Sequence, residues 1–429
     1  MSVELLRVTN FAGITDAEIS LGRMNIFIGP QASGKSVCAK LFFYFKNLVK
    51  RIARDVVDER TKPQMRAMHR DLFLKYFPPA NWGTGIFVVE YTYGDLTIHV
   101  ERSGEASTTI SIEYSQFFDE LLRACRKLLK PARQIYEDNG WEREPRYIFP
   151  LLNNTIDKWL SELIGSTLTN FNYFIPAGRS FFSTLQVSVF SFIADQVGID
   201  PFLAEFGRLY ENVRRINETT SSDNSYQYLD SLVTKILCGD YERIKGHDFI
   251  AMSKDRQVSI ENSSSGQQEA LPLVVVLSRM SRMESGARST FFIEEPEAHL
   301  YPAAQREIVH FVSTVFNQKP KIQTEVLSSQ YVITTHSPYI LSALNNLMYA
   351  KSLLTSNPDH KAAVESVLGG TPPIDPGEVR AYLFSEGEVR SIIDPESKLI
   401  NAAELDSVSG ELAVEFEHLM AIDFAETEH

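Results

Sequence analysis

Cysteine is scarce. Cys38, Cys125 and Cys238 are the only three in 429 residues, too few and too scattered for a disulfide framework or a zinc site. That usage points to a reducing cytoplasm, with Cys38 read as a small buried filler. Long apolar runs are missing as well: none reaches about 18 residues, and no basic-then-apolar leader opens the chain, so neither a membrane span nor export is expected. Positive charge is short overall. A formal net charge of −13 disfavours non-specific attraction to nucleic acid over the whole surface. The shortage is complete at residues 401–429, where eight acids stand with no Lys or Arg. It reverses only between residues 46 and 75, where nine basic residues face four acids. Their spacing predicts a solvated helical face, the alternative being a surface for nucleic acid or an acidic partner.

What is present is more specific. Residues 29–36 read Gly29-Pro30-Gln31-Ala32-Ser33-Gly34-Lys35-Ser36, a complete G-x-x-x-x-G-K-[ST] phosphate loop fed by the apolar run Met24–Ile28. Backbone N–H groups from Gln31 to Val37 are expected to surround the phosphates, Lys35 to reach the β- and γ-phosphates, and Ser36 to offer a hydroxyl to Mg²⁺. Pro30 has no N–H, so the donors come from later in the loop. The expected ligand is ATP with Mg²⁺.

A second constellation lies far along the chain. Thr290–Ile293 delivers two adjacent carboxylates, Glu294 and Glu295, within Glu294-Glu295-Pro296-Glu297-Ala298-His299-Leu300-Tyr301-Pro302. One carboxylate suits the Mg²⁺ shell and the next suits the attacking water, so Glu294 is assigned to the metal and Glu295 to the water. Tyr331–Thr335 is another buried-type strand and ends in His336, placed to bond the γ-phosphate and that water. Between these, Ser263-Ser264-Ser265-Gly266-Gln267 opens a helical run. Small hydroxyl residues at a helix start form an anion-binding surface or a simple cap. Because the chain already has one phosphate cradle, the second suggests contact with a triphosphate held by another copy. Arg179, in Phe174-Ile175-Pro176-Ala177-Gly178-Arg179-Ser180, either senses the nucleotide or makes a structural pair. Gln186 is a weaker candidate for a γ-phosphate link.

Strands alternating with helices argue for an α/β fold with its ligand off the strand C-termini. Four segments are expected. Residues 1–114 hold the phosphate loop and an antiparallel β-subdomain, and 115–245 form a mainly helical inserted arm. Residues 246–345 carry the Ser-Ser-Gly-Gln, Glu-Glu and His motifs, and 346–429 form a small α+β cap that includes a helix from about Ser409 to Met420.

Taken together, the phosphate loop, Ser264-Ser265-Gly266-Gln267, Glu294-Glu295 after an apolar strand and Thr335-His336-Ser337-Pro338 resemble the ABC-type ATPase heads of the SMC, RecF and OLD families. The run Glu294–Pro302 and Asn10-Phe11-Ala12-Gly13-Ile14 are most similar to the OLD-like branch. The resemblance implies a P-loop NTPase fold of ABC-ATPase type with a mixed central sheet. It also implies a homodimer that sandwiches two ATPs, with Ser264, Ser265, Gly266 and Gln267 serving the partner's nucleotide. Pro63, Pro78, Pro79, Gly83 and Pro131 break any long coiled coil of SMC type. Residues 341–429 contain no Asp-x-Asp, so the Toprim nuclease domain of OLD proteins is not expected there. Such stand-alone heads resemble the ATPase subunits of bacterial phage-defence systems, PARIS and then Septu. That likeness implies slow ATP hydrolysis and a separate effector, a Toprim or HNH nuclease. The rival reading is a RecF-like repair ATPase that clamps DNA directly.

Overall fold

The structure is a computed structural model that describes residues 3–138, 159, 171–184, 199–215, 224–283, 289–318, 321–322, 325–326 and 328–401. The strands are β1 (Glu4–Phe11), β2 (Ile14–Leu21), β3 (Met24–Ile28), β4 (Val88–Tyr93), β5 (Leu96–Arg102), β6 (Ile110–Tyr114), β7 (Phe171–Ile175) and β8 (Asp240–Ile244). They continue with β9 (His247–Ser253), β10 (Arg256–Ser259), β11 (Ser289–Glu294), the short pair β12 (Lys321–Ile322) and β13 (Glu325–Val326), β14 (Gln330–Thr335), β15 (Val379–Ser385) and β16 (Glu388–Ser391). The helices are α1 (Lys35–Val57), α2 (Lys62–Tyr76), α3 (Gln116–Asp138), α4 (Ser180–Thr184), α5 (Pro201–Arg214) and α6 (Asn224–Leu237), followed by α7 (Ser265–Ser281), α8 (Pro302–Asn317), α9 (Pro338–Ser356) and α10 (Lys361–Leu368).

Among the described residues eleven strands form one sheet in the order β6-β5-β4-β1-β2-β16-β15-β3-β14-β11-β7. From β15 to β7 every neighbouring pair is parallel, whereas β6, β5, β4, β1 and β2 pair antiparallel, so the sheet is mixed. The parallel strands are buried on both faces, which is why β3, β11 and β14 read as continuous apolar runs. Alternation still sorts their side chains. Phe27, Phe292, Val332 and Phe384 enter the core under α1 and α3, while Ile26, Ile28, Ile293 and Ile333 enter the one under α7, α8 and α9.

Register decides where the motifs meet. Ile28 pairs with Thr335 across β3–β14, and Glu294 with Thr334 across β14–β11. The phosphate loop, His336 and the Glu294–Glu295 turn therefore leave three adjacent strands at the same C-terminal edge.

Three expectations change. Val379–Ser391 is not part of a separate cap: β15 hydrogen-bonds to β3 and β16 to β2, so this hairpin joins the antiparallel and parallel halves of the sheet. Its apolar run, with Val379, Ala381 and Phe384 fully buried, needed two covered faces that a small cap could not give. The expected helix at 409–420 lies outside the described residues. The first part of the inserted arm is not free-standing, because Phe118, Leu121, Leu122, Cys125 and Leu129 of α3 pack into the core under α1. Nor is the basic stretch uniformly solvated. Lys46 is fully buried and bonds both oxygens of Glu4 at 3.1 Å and Gln330 at 2.9 Å, whereas Arg54, Arg66, Arg70 and Lys75 are exposed. A separate antiparallel sheet, β10-β9-β8, stands ahead of α7.

Candidate nucleotide site

Gly29 opens the phosphate loop with φ near 152°, and a Cβ there would stand 2.1 Å from the carbonyl oxygen of Phe384 in β15. Only glycine fits that approach. The loop crosses Pro30, Gln31 and Ala32, all exposed, and closes at Ser33 and Gly34, the residue before α1. The first turn of α1, with Ser36 and Val37 half-buried, contains no acidic side chain, so its free N–H groups and dipole face the loop uncompensated.

Lys35 is buried and turned onto its own loop. Its ammonium donates to the carbonyls of Gly29 at 2.8 Å and Pro30 at 2.5 Å and to the Ser33 hydroxyl at 3.2 Å. Burial pulls its pKa down to about 8, against the opposing fields of Glu295 and Glu297. These carbonyls hold the charge in the place where phosphate oxygens are stronger acceptors.

Glu294 is buried at the end of β11. One carboxylate oxygen accepts from the Ala177 N–H at 3.2 Å, and the other is buried without a hydrogen-bond partner. An orphaned buried acceptor costs about 1–3 kcal/mol. The hydration shell of a Mg²⁺ ion would recover that cost, so the donor set fits the metal role, with Ser36 as the second candidate ligand. Glu295 has a left-handed backbone, φ 42°, which turns its half-exposed side chain away from its neighbour's course.

His336 joins the two halves. One ring nitrogen, Nδ1, lies 2.9 Å from the Gly29 carbonyl oxygen, and Nε2 lies 2.9 Å from Glu295 Oε1. The Lys35 ammonium also lies 3.4 Å from Nδ1, so the ring stands between the loop cation and the Glu295 carboxylate. One oxygen of Glu295 is thus tethered to the ring, while the side chain stays half-exposed.

The Ser264 group begins α7. Ser264 and Gln267 form a reciprocal capping box: the Ser264 hydroxyl accepts from the Gln267 N–H at 3.3 Å, and the Gln267 side-chain oxygen accepts from the Ser264 N–H at 3.0 Å. Gln267 also donates to the Leu237 carbonyl at 2.7 Å. Ser264 and Ser265 are exposed, and none of the hydrogen bonds of Ser264–Gln267 goes to the phosphate loop. Gly266 is buried against the Glu294–Pro302 run, where a Cβ would meet the His299 carbonyl at 2.8 Å.

Arg179 does not face a nucleotide. It is fully buried, and its guanidinium donates to the backbone carbonyls of Glu269 (3.0 Å), Pro176 (3.0 Å), Glu294 (2.7 Å) and Glu295 (2.9 Å). Glu269 in turn accepts from the backbone N–H groups of Arg179 and Ser180. The structural alternative therefore holds, and Arg179 ties α7 to the carboxylate turn. Gln186 lies outside the described residues. Glu269, inside an ordinary helical run, escaped the sequence reading, and Glu297 reads only as an alternative base, because its pairing partners are about forty residues downstream. Only the short Glu-Glu-Pro-Glu spacing hints at the second.

A family model described as an AAA ATPase domain matches residues 203–341, the stretch that spans α7, β11 and β14. Among solved structures, an SMC head bound to the C-winged helix domain of ScpA is 12% identical, covering 92% of this chain and 98% of that one with a TM-score of 0.39. The SMC head domain from Thermotoga maritima is 10% identical over 91% and 98% of the two chains, TM-score 0.36. The recombination mediator protein RecF with ATPrS is 10% identical over 91% and 98%, TM-score 0.31. The phosphate loop between β3 and α1, the mixed sheet and the matched ATPase segment give the chain an α/β fold of P-loop ATPase type.

Proposed function

We propose that the chain is an ATP-dependent switch. It binds Mg·ATP at Gly29–Val37, hydrolyses it slowly with Glu295 and His336, and pairs with a second copy whose Ser264–Gln267 helix start completes the site. The observation that carries this is the strand register, which sets Lys35, Glu294, Glu295 and His336 at one sheet edge while leaving Ser264 and Ser265 exposed. An incoming γ-phosphate competes for Lys35 and His336, which frees Glu295 to orient water. The role beyond hydrolysis, controlling a separate nuclease effector in antiviral defence, is supported by the family resemblance of the motifs. Steady-state ATP hydrolysis by the wild type and by Lys35→Ala tests the core of the reading, and equal rates would remove it.

A RecF-like DNA clamp is the second reading, favoured by the exposed Arg54, Arg66, Arg70 and Lys75. DNA affinity measured with and without ATP at physiological salt separates the two. A clamp requires ATP-dependent, salt-sensitive binding, and an effector switch does not.

A further inference from the structure

Glu297 is buried in the turn after β11, and only one of its oxygens is used. Glu297 Oε1 accepts from the Thr335 hydroxyl at 2.6 Å and from the backbone N–H of His336 at 2.8 Å. The same Thr335 hydroxyl accepts from the Ser337 N–H at 3.0 Å, so one carboxylate organises three consecutive residues after β14. Glu297 Oε2 is buried with no hydrogen-bond partner. The Lys35 ammonium and the Arg179 guanidinium both feel the field of this carboxylate. This geometry does not suit a base: Oε1 already has two donors, and Oε2 is shut away from solvent.

We propose that Glu297 is a positioning residue for hydrolysis, acting through His336 by fixing the backbone that aims the imidazole between the Gly29 carbonyl and Glu295. One consequence follows from where it sits. Glu297 lies two residues before His299, whose carbonyl faces Gly266 at the start of α7. A shift of that helix start, as when a second copy engages it, is therefore passed through the turn to the His336 ring. The inference rests on the reading of His336 as a contact for the γ-phosphate and the water, and it gives the ring a mechanical link to the exposed signature.

The test is single-turnover ATP hydrolysis, together with the Kd for a fluorescent ATP analogue, in full-length Glu297→Ala, Glu297→Gln, His336→Ala and the Glu297→Ala/His336→Ala double variant. Thermal melting confirms equal folding. Glu297→Ala is expected to slow hydrolysis by about tenfold to a hundredfold while nucleotide Kd stays within about threefold. Glu297→Gln keeps an oxygen that can accept both bonds and is expected to recover most of the rate. The double variant is expected to be no slower than His336→Ala alone, because residues acting as one unit are not additive. Hydrolysis by Glu297→Ala at the wild-type rate overturns the proposal, as does a double variant with fully additive losses. A Glu297→Gln variant as slow as Glu297→Ala overturns it too, since the charge rather than the bonds would then matter. Should Glu297→Ala not fold, Thr335→Val, which removes only the hydroxyl, must give a smaller loss of the same kind. Failure of the wider reading looks different: the wild type itself would not hydrolyse ATP.

Discussion

At Lys35 two effects oppose each other. Burial favours the neutral amine, Glu295 and Glu297 favour the ammonium, and burial wins, leaving a pKa of about 8. Phosphates arriving beside the amine raise that pKa, so ATP binding is linked to proton uptake above pH 8. ATP affinity should therefore be flat below pH 8 and fall by up to about tenfold per pH unit above it, one proton being linked. Isothermal titration at pH 9 in buffers of different ionisation enthalpy would show the uptake, and buffer-independent heats would refute it. Glu295→Gln keeps the contact to His336 but cannot accept a proton from water. Retained ATP binding with lost turnover is expected, and a normal rate in that variant would place the base elsewhere. Arg179 makes the opposite prediction, one of stability. Arg179→Met leaves the backbone carbonyls of Pro176, Glu269, Glu294 and Glu295 without their donor and the buried Glu269 carboxylate without its opposite charge. A loss of about 3–5 kcal/mol in urea unfolding is expected, and a loss below about 1 kcal/mol would mean that the network is not holding the turn.

Among the elements, legibility followed periodicity. β3, β11 and β14 could be read because each is an apolar run bounded by polar residues, and their motifs were found by spacing alone. The place of β15 could not be read that way. Nothing in Val379–Ser385 says which of eleven strands it will pair with, since register is set by partners more than three hundred residues away. Side-chain partnerships failed for the same reason: Arg179 reads as a candidate sensor until its four guanidinium hydrogen bonds are traced to backbone carbonyls and its charge to Glu269. The start of α7 reads as an anion-binding surface or a simple cap; Ser264 and Gln267 do form a capping box, and Ser264 and Ser265 are exposed. Ser264→Arg should fill the space a second copy's γ-phosphate would take, leaving nucleotide binding intact while blocking both association and turnover. Mixing it with Lys35→Ala should restore at most one composite site per pair. Normal hydrolysis by Ser264→Arg alone would show that each chain works without the other.

For the whole molecule, the question is whether one chain carries all of the chemistry. Hydrolysis of a phosphodiester generally needs acidic or imidazole groups gathered around one or two metal ions. Among the described residues no group of three or more His, Cys, Asp or Glu side chains is close enough to hold such an ion outside the proposed pairing of Ser36 with Glu294. The acids that do cluster have other partners: Glu294 the Ala177 N–H, Glu295 the His336 ring, Glu297 the His336 backbone and Glu269 the backbone of Arg179 and Ser180. The net charge of −13 also works against holding a nucleic-acid substrate except along α1 and α2. The purified chain is therefore expected to leave DNA and RNA intact with Mg²⁺, with or without ATP, while hydrolysing ATP itself. The informative control is Glu295→Gln, which lacks turnover but keeps every other carboxylate. Metal-dependent cleavage that survives in that variant and stays with the protein through several columns would place a nuclease site in this chain and remove the need for a separate effector.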